Sequence, residues 1–297
     1  MNGELDTRFG ADAPILDAVW EVRLDPIQIS RRRMIEWALF SFACSAGYAA
    51  AAPGSDGWQH RELRRFKAAE ANQGVAVDTE HFYAIDNHAI GKYRKATGER
   101  VSGWSGPAGG MLKHLNAGVV LDGKLYCAHS NYPDVPEQSS VEIWDTSTMR
   151  HIDRHVFERP PGSLTWAVRR GADWYACFAH YRTTGDPARS RVVRFDAKWK
   201  PQVFWSFPSE LVERFAGYSA SGGDFGPAGK LFVTGHDARE LYVLDLPSGG
   251  GELVWRATVP ISAAGQAFAW DPTSRAGLYS IERKSREVIV SDVRRSG

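Results

Sequence analysis

The sequence carries almost no excess charge: 36 Lys and Arg stand against 35 Asp and Glu, a formal net charge of +1. No basic block after Gly54 could track a phosphate backbone, so nucleic acid is not expected as a partner. Long apolar runs are absent too. Nothing approaches the roughly 20 consecutive apolar residues that a spanning helix needs, so no stable membrane span is expected. The glycine-rich stretch SGGDFGPAGK contains neither a Gly-Lys-Ser/Thr phosphate loop nor a dinucleotide fingerprint, and no serine sits in a nucleophile elbow. Cysteine is scarce, with three in 297 residues. Cys44 falls in the N-terminal leader, which leaves Cys127 and Cys177 at corresponding strand positions of two repeats. Their apolar flanks favour two buried thiols, the alternative in an oxidising compartment being a disulfide.

What the chain does have, beginning at Ser30, is SRRRMIEWALFSFACSAGYAAAAPG: three arginines, a short apolar run, then alanines with small-residue cleavage sites. That is the layout of an export signal, and Ser30 to Ile35 also resembles a twin-arginine motif. We therefore expect residues 1–53 to be an export signal with an N-terminal extension, residues 58–297 to be the folded domain, and the protein to be periplasmic or secreted. Met34 is an alternative start.

Aromatic residues make up 12% of the chain, with 11 tryptophans, mostly in short strand-like runs; such large flat side chains favour packing between sheets. After Gly54 one unit recurs about every 45 to 50 residues: an apolar strand, an Asp/Gly turn, a second strand with a polar ending, then a third and often a fourth. The units begin at QGVAVD, NAGVVLDG, LTWAVRRG, SGGDFGPAG and GQAFAWDP. The spacing predicts an all-β fold, a five-bladed β-propeller. The fifth unit lacks its outer strand, and HRELRRFK (His60 to Lys67) has no partner, so the N-terminal strand is expected to close the ring by completing the last blade.

In such a ring the second-strand endings converge on one face. Three of them carry histidine: His129 in CAHSNY, His180 in CFAHY and His236 in VTGHD, with His88 in the first unit and Glu282 and Arg283 in the fifth. A turn has no need of imidazole, so the recurrence points to chemistry. His129 and His180 are acid/base candidates, with His236 and Asp237 as catalytic orienter or metal ligand. Asn116, Asn131, Tyr132, Tyr181, Arg182, Glu282 and Arg283 are candidate substrate-binding groups, the arginines for a carboxylate. A second possibility is one divalent metal ion held by His88, His129, His180 and His236. His114 precedes an inner strand and could face the channel. Near the inner-strand starts stand Gln73, Asn116, Asp224 and Gln266; the single acid among them disfavours a two-carboxylate glycosidase.

The phrases QGVAVD, HAIGKY, HLNAGVVLDGKLYCAHSNYP, EIWD, CFAHY, VTGHD and ELYVL together resemble exported bacterial β-propeller proteins labelled cycloisomerase, over roughly Phe66 to Val290. That resemblance extends to propeller-type carboxymuconate cyclases. A more distant one, through Gln73-Gly74 and the KATGE turn, is to plant-type glutaminyl cyclases. No catalytic motif of those enzymes matches here residue by residue. The site residues, with this resemblance, lead to the expectation of a lyase, isomerase or lactonase acting on a small polar carboxylate or sugar-derived compound; the alternative is a non-catalytic periplasmic module that binds a ligand or a protein, and a monomer is expected.

Overall fold

The computed structural model describes residues 52–107, 109–274 and 276–296. The expected export signal lies outside them, apart from its last two residues. The first strand, β1 (Trp58–Lys67), is followed by four blades. Blade 1 is β2 (Gly74–Val77), β3 (His81–Asp86), β4 (Ala89–Arg94) and β5 (Arg100–Ser105); blade 2 is β6 (His114–Leu121), β7 (Lys124–Ser130), β8 (Ser139–Asp145) and β9 (His151–Phe157). Blade 3 comprises β10 (Ser163–Arg170), β11 (Asp173–Ala179), β12 (Arg191–Phe195) and β13 (Pro201–Ser206), and the short helix α1 (Ser209–Arg214) leads on from it. Blade 4 holds β14 (Gly222–Phe225), β15 (Leu231–Thr234), β16 (Glu240–Asp245) and, after a two-residue β17 (Gly251–Glu252) that pairs parallel with β13, β18 (Val254–Pro260). Blade 5 is β19 (Ala269–Trp270), β20 (Gly277–Glu282) and β21 (Glu287–Arg295), and its outermost strand is β1.

The closure expected from the sequence is therefore present. β1 runs antiparallel to β21, from Trp58 opposite Arg295 to Lys67 opposite Glu287, with one bulge between Glu62 and Arg64. The innermost strands complete the circle: β2 packs on β6, β6 on β10, β10 on β14, β14 on β19, and β19 on β2.

Strands toward the axis are covered on both faces and are buried along their length rather than alternating, as in β2, β15 and β20, whereas the outer strands β5 and β9 are half-buried or exposed. Five hydrophobic clusters result, one between each pair of neighbouring blades. Aromatic rings fill the wedges where blades diverge. Trp58 meets Phe232 edge-on at 5.1 Å, tying the closing strand to blade 4, and Phe82 stacks on Tyr93 at 5.0 Å between blades 5 and 1. Near the axis the opposite is needed, since the inner strands crowd together. A Cβ at Gly222 would lie 2.7 Å from the Cα of Ala267, so only glycine fits there. Cys127 and Cys177 are fully buried and unpaired; burial pushes both thiols up, Cys177 to about 12.

Candidate functional site at the channel mouth

A pocket of about 260 Å³ opens where the inner strands begin, and all five blades contribute to it. By contrast, a rim groove of about 620 Å³ near Phe157, Trp199 and Phe204 draws on blades 2 and 3 alone. The floor of the mouth is a ring of one polar side chain per blade: Gln73, Asn116, Thr165, Ser221 and Gln266, each within three residues of the start of its inner strand. The walls come from blade 2 (His114, Tyr132), blade 3 (Tyr181), blade 4 (Tyr218, His236) and blade 5 (Arg283).

Arg283 follows β20 and is pinned over the floor. Its Nη2 donates to Gln266 Oε1 at 2.8 Å and to Gln73 Oε1 at 3.1 Å, and its Nε donates to the Asn72 carbonyl at 2.8 Å. The glutamines are themselves fixed, Gln73 Nε2 donating to Asn87 Oδ1 and Gln266 Nε2 to the His236 carbonyl. Burial draws the guanidinium pKa down, Arg286 adding to this while Asp237 and Asp86 oppose it; an arginine so placed stays charged. None of the side chains lining the pocket is a carboxylate.

His236 lies beside this charge, its Nε2 3.5 Å from Arg283 Nη1. Its Nδ1 is 2.7 Å from Asp237 Oδ1. A carboxylate only accepts, so Nδ1–H donates and the Nε2 lone pair faces the Arg283 Nη1–H at the pocket wall. Tyr218 stacks on the imidazole at 4.0 Å and 9°. Tyr218 is carried there by the segment after α1, where Phe215 wedges edge-on against Phe207 and Tyr242, a helix that the all-β reading of the sequence passed over. Tyr132 and Tyr181 lean together at 4.6 Å, with His114 5.8 Å from Tyr132. Burial and the Arg283 charge hold the His114 pKa down to about 4, so its ring is neutral near pH 7.

The structure thus gathers Asn116, Tyr132, Tyr181, His236 and Arg283 at one mouth and sends the other proposed site residues elsewhere. His129 lies inside β7, opposite Leu115 and Ser140, whereas His180 is one residue past the end of β11. Ser130 at the end of β7 corresponds to Ala179 at the end of β11, so His180 takes the place of Asn131 and the two histidines stand two residues apart along the blade. His129 Nε2 accepts the Lys113 N–H at 3.1 Å, and its Nδ1 meets Ser140 Oγ at 3.0 Å, which donates on to buried Glu142 at 2.6 Å. His180 Nε2 donates to the Pro161 carbonyl at 2.6 Å. His88 Nδ1 donates to the Leu112 carbonyl at 2.8 Å. The four histidines are thus not gathered at one point, and among the described residues no group of three or more His, Cys, Asp or Glu is arranged to hold a metal ion.

Asn131 braces its own loop, donating to the Pro136 carbonyl and accepting the Gln138 N–H. Glu282 pairs with Arg239 at 2.6 Å. Arg182 packs its guanidinium over Gly217, holding the loop that bears Tyr218. Asp237 touches the pocket only through His236. Tyr218, Thr165 and Ser221 were not selected from the sequence; the signal that could have found the last two is the recurrence of one polar residue at each inner-strand start, which Gln73, Asn116 and Gln266 share.

No family model matches this chain, and no curated protein matches it. Among solved structures, a chain in the crystal structure of the mitotic checkpoint complex is similar over 95% of this chain and 99% of that chain, at a TM-score of 0.41 and 8% identity. The propeller assignment rests on the strand pairing described above. Among the described residues no helix is long and apolar enough to cross a membrane.

Proposed function

We propose that the channel mouth binds a small organic carboxylate. The observation that carries this reading is Arg283, a guanidinium fixed by three acceptors in a lining that contains no acid. A bound carboxylate supplies the missing counter-charge through charge-assisted hydrogen bonds. A cavity of about 260 Å³ limits the ligand to a small molecule. The test is calorimetric titration of the protein with sodium hexanoate: millimolar or tighter binding that Arg283→Gln weakens at least tenfold supports the reading, and equal binding by both proteins refutes it.

The His236–Asp237 pair favours a second step on the same ligand, of the lyase, isomerase or lactone-interconverting kind that the sequence resemblance implies. With the carboxylate on Arg283, the adjacent carbon lies near His236 Nε2. That nitrogen takes the proton, the C–H electron pair moves into the carboxylate as an enolate held by Arg283, and either the proton returns to that carbon from the other face or a leaving group departs from the next carbon as a double bond forms. In D₂O, deuterium should then enter at the carbon next to the carboxylate, and His236→Gln should abolish the exchange. Absence of exchange in the wild type would leave a binding role alone. We place the activity outside the cytoplasm, on the arginine, apolar and alanine layout of Ser30 to Gly54.

A further inference from the structure

Resting on the carboxylate reading, we infer that the ligand class is a polyhydroxylated monocarboxylate, such as a sugar acid. Three features select it. First, the mouth offers one fixed positive charge: Arg283 is the sole arginine or lysine of the lining, and His114 is neutral near pH 7. A dicarboxylate would leave its second charge unpaired in a half-buried site, and an α-amino acid would find no acid for its ammonium group. Second, hydrogen-bonding capacity is left over on blades 2 to 4. Asn116 spends its amide on the Leu164 carbonyl at 3.3 Å and keeps Oδ1, and Thr165 donates to the Ala220 carbonyl at 2.8 Å and keeps its lone pairs. Ser221, Tyr181 and Tyr218 add three hydroxyls to the lining. Burial raises the Tyr181 pKa, so its phenol remains a donor. Hydroxyl groups both donate and accept, as this mixed set requires, whereas an alkyl chain would leave every one of these groups unpaired, at a cost that a polar site discriminates strongly. Third, Tyr218 stacked on His236 and the Tyr132–Tyr181 pair supply apolar ring surfaces for the C–H faces of a sugar-sized skeleton.

Calorimetry on the full chain with three probes tests this. D-gluconate carries the carboxylate and the hydroxyls, hexanoate only the carboxylate, and D-glucose only the hydroxyls. The expected order is gluconate at least tenfold tighter than hexanoate, with glucose weaker than either. Ser221→Ala and Tyr218→Phe, which remove one hydroxyl each and preserve the packing, should each weaken gluconate about fivefold and leave hexanoate unchanged. Hexanoate binding as tightly as gluconate, or equal losses for both ligands in the two variants, would overturn the sugar-acid class while the carboxylate reading stands. Binding of neither carboxylate would overturn both.

Discussion

Lowering the pH from 7 to 4.5 should remove the share of this propeller's stability that rests on a neutral, buried His129. The imidazole is 6% exposed, and burial holds its pKa at about 4 against an ordinary 6.5, Glu142 opposing the shift and Arg154 and His88 adding to it. Between those values the unfolded chain binds a proton that the folded protein refuses, so stability is intact above pH 6.5 and falls as pH drops toward 4. That interval, at about 1.4 kcal/mol per pH unit, amounts to about 3 kcal/mol, most of it spent by pH 4.5. Full solvent screening does not apply to a ring so enclosed. The assay is urea denaturation of wild type and His129→Gln at several pH values. The variant starts less stable at pH 7, through its altered bonds to Lys113 and Ser140, but its profile should be flatter by about 2 kcal/mol across the window. Parallel profiles would refute the reasoning, because they would mean that His129 titrates alike in both states.

The closing strand gives a second test: Trp58→Ala removes a 5%-exposed ring packed on Phe232 and should cost about 3 to 5 kcal/mol in chemical denaturation, whereas a loss under about 1 kcal/mol would argue against ring closure through β1. Cys127 and Cys177 should be inert to an aromatic disulfide reagent in the native protein and both react in denaturant, since each is fully buried with its thiol pKa raised; rapid native labelling would contradict that placement. Gly222→Ala should lose about 1 to 3 kcal/mol, because the new Cβ meets the Ala267 backbone, and a neutral effect would show that the axis is looser than described.

The ring was legible in the sequence because a blade cannot bury itself alone. Each repeat restates the same apolar strands, and the mismatch between an incomplete fifth unit and an unpartnered N-terminal strand has one economical solution, the pairing of β1 with β21. The site was legible only in part. The histidine recurrence is real as a pattern of letters, but a two-residue offset against the strand end separates a ring inside a sheet from a ring beyond it, and His129 and His180 differ by that offset. The pairing register that fixes it depends on bulges, such as the one between Leu115 and Gly118 in β6, which no local signal announces. Arg283 and His236 were legible as second-strand endings, but their adjacency arises between blades 4 and 5 and is set by the closure of the ring. Tyr218 reaches the mouth through α1, whose six residues are too few to show helical periodicity.

The most direct test of the central claim is a crystal structure of the protein soaked with D-gluconate. The account predicts the carboxylate at the channel mouth, with its oxygens about 2.7 to 2.9 Å from the Arg283 guanidinium and the hydroxylated chain turned toward Ser221 and Tyr218. A ligand bound anywhere else, or bound at the mouth with its carboxylate directed away from Arg283, would contradict it.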